Sequence, residues 1–361
     1  MRTLYSRIGL ALVLLLSNIV AVTGVANAGA PVEHYANNPI HVRPDASTSP
    51  IGISPAIIQN AYNFSTSSTA GAGKTIAIVD AFDDPNAEAD LAVFNSTYGL
   101  PDCTTANGCF NKVNQTGGTK YPRADFGWAL EISLDVQWVH AIAPGAKILL
   151  IEANSSGFTD LMAAEDYASA HAGYVSNSWG AAEFSGETAY DSHFANTSVS
   201  FFVASGDNGP PAQYPSSSPN VISVGGTTLH RTNSIWSETG WSGSGGGCSQ
   251  YETANSAQQS DSVNCAGFRA TPDVSLDADP ASGVSVYDSV RYRGQKGWWA
   301  VGGTSASTPM WAARAAGTAA TVNATYVYGN SITFRDITSG NNGSSCLVGY
   351  DLVTGRGSWL G

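Results

Sequence analysis

Gly297 to Ala312 reads GWWAVGGTSASTPMWA. An aromatic and β-branched run (Trp298, Trp299, Val301) stops at Gly302 and Gly303, and an alanine-rich segment follows from Met310 to Ala320. That order predicts a strand, a tight turn and a helix, with Pro309 in the first helical turn, where its missing N–H costs nothing. A serine at such a junction has an exposed hydroxyl beside the positive end of a helix dipole. Both suit a nucleophile whose attack generates an oxyanion. The plainer reading makes Ser305 and Ser307 ordinary N-caps.

Working outward, apolar runs recur at Lys74 to Ala81 (KTIAIVDA), Ala146 to Ala153 (AKILLIEA), Tyr174 to Trp179, Val199 to Ser205 and Val221 to Gly225. Helical patterns lie between several of them, which predicts an α/β fold: a mainly parallel central sheet with helices on both faces. Reactive groups are then expected where strands end and loops begin. Ile53 to Phe64 reads as a short helix entering the domain. Residues 29–52, rich in Pro, Ser and Asn without periodicity, read as a mobile lead-in.

The start of the chain has the form of a secretory signal. Arg2 and Arg7 precede or border an apolar stretch from Ile8 to Val25, and Ala26-Asn27-Ala28 offers a cleavage site. Residues 1–28 are therefore expected to be a signal peptide and the mature protein to be secreted, with no membrane attachment after its removal. The formal net charge is −12 and only 12% of residues are charged. Such a surface does not suit nucleic-acid backbones. Five cysteines fit an oxidising compartment. Cys103 and Cys109 bracket one turn, Cys248 and Cys265 a polar loop, and Cys346 is left over. Two disulfides and one free thiol are expected.

The second informative stretch is Asp125 to Gly145, DFGWALEISLDVQWVHAIAPG. On a helix turning about 100° per residue, Trp128, Glu131, Asp135, Trp138 and Ile142 fall in one sector of roughly 80°. Two carboxylates thus share a stripe with tryptophans, where a solvated acidic face would have polar neighbours. Burial and adjacent like charge raise a carboxyl pKa, which makes a glutamate a usable general base or acid. The plainer reading is an acidic pair neutralised by an arginine or a metal. The third stretch, Ser205-Gly206-Asp207, follows a strand and by itself is a common turn.

Together these stretches resemble the sedolisins, serine-carboxyl peptidases with a subtilisin-like fold. The resemblance runs from Ile53 to the C-terminus, a catalytic domain of residues 53–361. It rests on Glu131-Ile-Ser-Leu-Asp135, Ala143-Pro144-Gly145, Asn177-Ser178-Trp179-Gly180, Ser205-Gly206-Asp207 and Gly303-Thr304-Ser305-Ala306-Ser307-Thr308-Pro309. It implies Ser305 as nucleophile, Glu131 as base and later acid, Asp135 as the group that holds Glu131, and Asp207 as oxyanion-hole donor. Asp207 can donate only while protonated, so the implied activity is an acid-acting endopeptidase on protein or peptide substrates. Asp80 and Trp179 are expected to continue the hydrogen-bond chain behind Asp135. Asp336-Ile337 and Gly349-Tyr350-Asp351 resemble the family's calcium loop. The implied ligands of one structural Ca2+ are the side chains of Asp336 and Asp351 and the carbonyls of Ile337, Leu347 and Gly349.

Where the family carries a long propeptide, only residues 29–52 separate Ala28 from Ile53; the expectation is maturation without a full-length propeptide, with a separately supplied propeptide or a longer natural chain as the alternatives. Two alternatives are weighed. An ordinary subtilisin would need a histidine at a helix start in a His-Gly-Thr-like setting, and none of the six histidines has one; His140 reads as structural. A catalytically silent sedolisin-like binding protein would be expected to have lost at least one of Ser305, Glu131, Asp135 and Asp207. A monomer is the expected state.

Overall fold

At the centre of the molecule the strand Thr75–Ala81 alternates between two apolar layers. Ile76 and Ile78 point into one cluster of buried side chains and Ala77, Val79 and Ala81 into the other. The period of two follows from the pleat of a strand covered on both sides. This computed structural model describes residues 32–38, 40–43, 45–260, 265–329 and 332–360. The expected signal peptide, residues 1–28, lies outside them.

The sheet runs in the order Phe110–Asn114, Lys147–Ala153, Thr75–Ala81, Tyr174–Asn177, Ser200–Ala204, Ile222–Thr232, Val274–Asp277, Ser358–Leu360, Thr333–Arg335. Every pair as far as Ser358–Leu360 is parallel. The antiparallel pairs are Thr333–Arg335 at one edge and Ile235–Gly240, which folds back on Ile222–Thr232. Helices Pro55–Tyr62, Ala87–Tyr98, Phe126–Ile142 and Thr304–Thr318 pack on the layer of Ile76 and Ile78. Helix Phe158–His171 covers the other face. The α/β fold with a mainly parallel sheet between helices is as expected.

Phe126–Ile142 is buried on all sides: every residue from Trp128 to Ile142 is inside. Sequence periodicity had marked one apolar sector, but a second layer closes over the remainder. That layer is the hairpin of Val284–Tyr292 and Gln295–Gly302. Gln137 exchanges hydrogen bonds with the Tyr287 backbone at 2.7 and 2.9 Å, and Trp138 Nε1 donates to Ser285 O at 3.0 Å. The buried side-chain polar atoms of Gln137 and Trp138 are thus satisfied by the hairpin.

Two local expectations are corrected. The residue 29–52 segment read as a mobile lead-in, yet its described part is held in place. His41–Val42 adds a strand to the hairpin, with His41 opposite Gly302 and Val42 opposite Val301. Asn37 exchanges backbone hydrogen bonds with Gly180, and Ser47 N donates to Trp298 O. An unpaired strand edge offers such a segment its donors and acceptors whatever the segment's composition. Secondly, the Thr304–Thr318 helix begins early enough that Pro309 falls inside it and not in its first turn. Having no N–H, Pro309 cannot close the helical hydrogen bond to the Ser305 carbonyl four residues back.

Disulfides join Cys103 to Cys109 and Cys248 to Cys265, and Cys346 is free and buried. Among the described residues no helix is long and apolar enough to cross a membrane.

Candidate active site

The carboxyl ends of the central strands carry the polar residues singled out above. Asp80 closes Thr75–Ala81, Ser178 and Trp179 follow Tyr174–Asn177, and Ser205 to Asp207 follow Ser200–Ala204. Ser305 enters the same region from the strand Gln295–Gly302, through Gly303 at φ 122°, which an L side chain rarely adopts. The long helix brings Glu131 and Asp135 from the side. Its start is held by the Asp125 carboxylate, which accepts from the backbone of Gly127 and Trp128 at 2.9 and 3.2 Å.

Glu131, Asp135, Asp80 and Ser305 are all completely buried. The Ser305 hydroxyl faces the Glu131 carboxyl closely enough to oppose its pKa rise. Strict hydrogen-bond geometry is nevertheless missed at both Glu131 oxygens. Long contacts of this kind are common between catalytic groups without substrate. The reading of Ser305 as an exposed hydroxyl is corrected: the segment through His41, paired to Gly302, crosses this end of the sheet.

Behind Glu131, Asp135 Oδ1 accepts from Ser178 Oγ at 2.9 Å, and Ser178 Oγ lies 3.4 Å from Ser305 O. The single hydroxyl hydrogen serves Asp135. Ser178 thus stands between Asp135 and the backbone of Ser305. Asp80 stands beside both acids but has no hydrogen-bond partner in strict geometry. Trp179 does not continue the chain. Its Nε1 donates to Val79 O at 2.9 Å, so the indole braces the strand end from which Asp80 projects.

The electrostatics have one sign. Burial pushes Glu131 well above the usual carboxyl range, the Asp135 charge adds to the rise and Ser305 opposes it. Asp135 is raised by burial, against the Ser178 hydrogen bond. Asp80 is raised by burial and then by Asp135, Glu131 and Glu152. The group can hold protons at a pH where free carboxylates have shed them, and can pass one to or from a serine.

Asp207 is held against Thr304, the residue before Ser305. Its Oδ1 accepts from Thr304 N at 2.8 Å and Thr304 Oγ1 at 2.9 Å. Its Oδ2 lies 3.2 Å from His41 Nε2. Burial raises its pKa; the His41 hydrogen bond, the Thr304 backbone hydrogen bond, the His41 charge and the Thr304 hydroxyl oppose the rise. His41, Asp207, Asn38, Gly180, Asn208 and Gln213 are among the residues lining a cavity of about 260 Å³.

At the C-terminal end, Asp336 Oδ2 accepts from Gly349 N and Asp351 Oδ2 from Leu347 N, both at 3.0 Å. Ile337 is buried next to Asp336. The fold thus brings both carboxylates to one short backbone segment, residues 347–349. Among the described residues, one group of three metal-type side chains lies close together, Cys103, Cys109 and His140, and its cysteines form a disulfide. His140 is structural, as expected: it is buried, with Nε2 2.8 Å from Pro101 O.

Sequence reasoning gave no role to Ser178, Thr304 or His41. Ser178 and Thr304 lay inside quoted motifs, next to residues that were assigned. His41 carried no signal, because its place depends on strand pairing across the sheet.

The model of the subtilase family matches residues 127–337, more than half of the chain. The chain belongs to that family. Within it, the likeness is to the sedolisins. Kumamolisin of Bacillus sp. (strain MN-32) is 28% identical over 87% of this chain and 63% of its own length. Sedolisin of Pseudomonas sp. (strain 101) is 29% identical over 85% of this chain and 60% of its own. Xanthomonalisin of Xanthomonas sp. (strain T-22) is 30% identical over 75% and 41%. The chain thus spans less than two thirds of the length of these relatives. A solved structure of Pseudomonas sedolisin, described as a serine-carboxyl proteinase complexed with two molecules of pseudo-iodotyrostatin, superposes with a TM-score of 0.73 at 29% identity. It covers 86% of this chain and 96% of that one. Sphericase, with a TM-score of 0.54 at 21% identity, shares the fold.

Proposed function

We propose that this protein is a secreted serine-carboxyl endopeptidase that works in acid. The observation that carries the reading is the contact of Ser305 with Glu131, which the charges of Asp135 and Asp207 both reach, with Asp207 held by Thr304 next to Ser305. Ser305 Oγ attacks the carbonyl carbon of a peptide bond while its proton passes to Glu131. The negative charge that develops on the carbonyl oxygen meets the proton of Asp207. As the C–N bond breaks, Glu131 returns the proton to the leaving amine, and the acyl group stays on Ser305 as an ester. A water then repeats the sequence, with Glu131 again as base, and releases the acid.

The acid range follows from the charges. Asp207 donates only when protonated, and its burial favours that form. As pH rises through its raised pKa the donor is lost, so activity falls on the alkaline side. Asp80, beside Asp135, stores further negative charge or protons in the same cluster.

A structural calcium ion is part of this reading, held by Asp336 and Asp351 side chains and by the carbonyls of Ile337, Leu347 and Gly349. The all-oxygen donor set suits calcium. The hydrogen bonds that bring both carboxylates to residues 347–349 support it. The ion would neutralise two acids and pin the C-terminal turn. Protein or peptide substrates, a monomeric state and export to an oxidising compartment complete the reading; the two disulfides support the last.

The test is proteolysis of a denatured protein from about pH 3 to about pH 8, spanning the carboxyl and histidine ranges. Cleavage confined to the acid side and abolished in Ser305→Ala is the expected result. A neutral optimum would remove Glu131 as base. No cleavage at any pH by folded, calcium-loaded protein would leave a catalytically silent binding protein.

A further inference from the structure

The two oxygens of Asp207 have different surroundings, and the difference comes from Thr304. Thr304 N–H can only donate, so Asp207 Oδ1, at 2.8 Å, must offer it a lone pair. Thr304 Oγ1 accepts from Gly206 N at 3.1 Å, which leaves its own hydrogen to give away. Of the two acceptors in reach, Asp207 Oδ1 at 2.9 Å is nearer than Gly206 O at 3.3 Å. Both lone pairs of Oδ1 are then engaged. Oδ2 has no aligned hydrogen bond and faces the cavity, with His41 Nε2 at 3.2 Å.

We propose that Thr304 is a positioning residue that confines the proton of Asp207 to Oδ2, so that the one O–H of this acid points into the cleft. The inference rests on the serine-carboxyl reading, in which that O–H meets the oxyanion. A carboxyl whose oxygens were equivalent would place its proton inward about half the time or turn it away. Thr304, immediately before the nucleophile, removes that freedom through two donors set on one rigid helix start. Asp207 is also faced by His41 from the N-terminal segment and by the charge of Glu131 from the long helix. His41 Nε2 lies 3.2 Å from Oδ2, the oxygen that carries the proton, and shares the cleft side of the acid with it.

The experiment compares wild type, Thr304→Val and Thr304→Ser by kcat, KM and the pH profile. Loss of an oxyanion donor outright costs roughly 10²–10³-fold in kcat. Loss of its alignment alone is expected to cost part of this, about tenfold, with KM unchanged. The hydroxyl also favours the ionised form of Asp207, so in Thr304→Val the alkaline limb should move to higher pH while kcat falls. Thr304→Ser should restore both. A kcat loss with the alkaline limb unmoved, or a serine variant as defective as the valine variant, overturns the inference.

Asp207→Asn reads the same assignment without altering Thr304. Its amide oxygen must accept from Thr304 N, which sets the NH2 group where Oδ2 was. Retained cleavage with the alkaline limb of Asp207 abolished is expected, and activity no better than Asp207→Ala overturns the assignment. A wild type inactive at every pH would instead remove the peptidase reading itself, and this inference with it.

Discussion

Two groups of carboxylates in this protein are equally buried and otherwise opposite. Asp273 is fully enclosed, yet each of its oxygens is occupied. Arg269 grips it with both terminal nitrogens, Tyr328 Oη donates at 2.7 Å and Ser223 N at 2.7 Å. Glu131, Asp135 and Asp80 are just as enclosed, but have no cation beside them among the described residues, and five of their six oxygens lack an aligned partner. The first arrangement neutralises a charge at rest. The second leaves protons and charge to be moved by a reaction. Burial alone therefore does not distinguish a structural acid from a functional one; the sign and number of its partners do.

That contrast can be broken from either side. The largest effect is expected at the unpaired group. Ser305→Ala should lower kcat by roughly 10⁴-fold or more, and Glu131→Gln by a similar factor. Neither should lower the melting temperature, and Glu131→Gln should raise it at neutral pH by removing a buried acid beside Asp135. Destabilisation by Glu131→Gln would mean that this acid is structural. At the paired group the pattern should invert. Arg269→Met leaves Asp273 enclosed without its cation and should cost about 3–5 kcal/mol of stability. Chemical denaturation would measure it, with activity per folded molecule unchanged.

A third expected outcome concerns three further buried acids whose hydrogen bonds, and for Glu152 the Lys112 ammonium at 3.3 Å, do not offset their burial. Burial, ahead of all other causes, pushes Glu152 up to about 9, Asp288 to about 8 and Asp84 to about 7. In the unfolded chain such groups titrate near about 4. Between those limits the folded state holds protons that the unfolded state has lost, so stability falls as pH rises. Thermal melting should show a higher midpoint near about pH 4 than near about pH 8. A midpoint that rises with pH across this window would show that these acids are ionised and paired in the folded protein.

Smaller effects test the supports. Ser178→Ala removes the one aligned donor to Asp135 and should lower kcat about tenfold, as expected from the loss of one hydrogen bond to a charged group, with the alkaline limb of Asp207 unmoved. Calcium chelation should lower the melting temperature of wild type and leave an Asp336→Asn, Asp351→Asn double variant unmoved. An equal shift in both would place the ion elsewhere.

Much of this site was legible because its parts are local. The i, i+4 spacing of Glu131 and Asp135 and the glycine pair before Ser305 declare a helix face and a strand-to-helix turn from sequence alone. The alternation of Ile76, Ala77, Ile78 and Val79 marks a strand buried on both faces. Family motifs then joined these pieces. The rest was not legible, because it depends on partners far apart in the chain. Trp179 was assigned to Asp80, but the neighbouring carbonyl of Val79 was better placed to accept its N–H. Pro309 was read one turn too early, since helix boundaries depend on capping geometry that composition does not reveal.

The order of apolar runs by itself determined a parallel sheet between helices, and residue type at strand ends determined which groups could react. Tertiary structure decided which of them meet. His41 reaches Asp207 because a strand edge accepts backbone hydrogen bonds from any sequence, so the pairing left no mark in composition. Arg269 neutralises Asp273 from four residues away, while among the described residues no cation stands beside Glu131. Periodicity describes one element and its environment; whether a distant charge meets a buried acid depends on elements in contact, and only the folded chain supplies that distance.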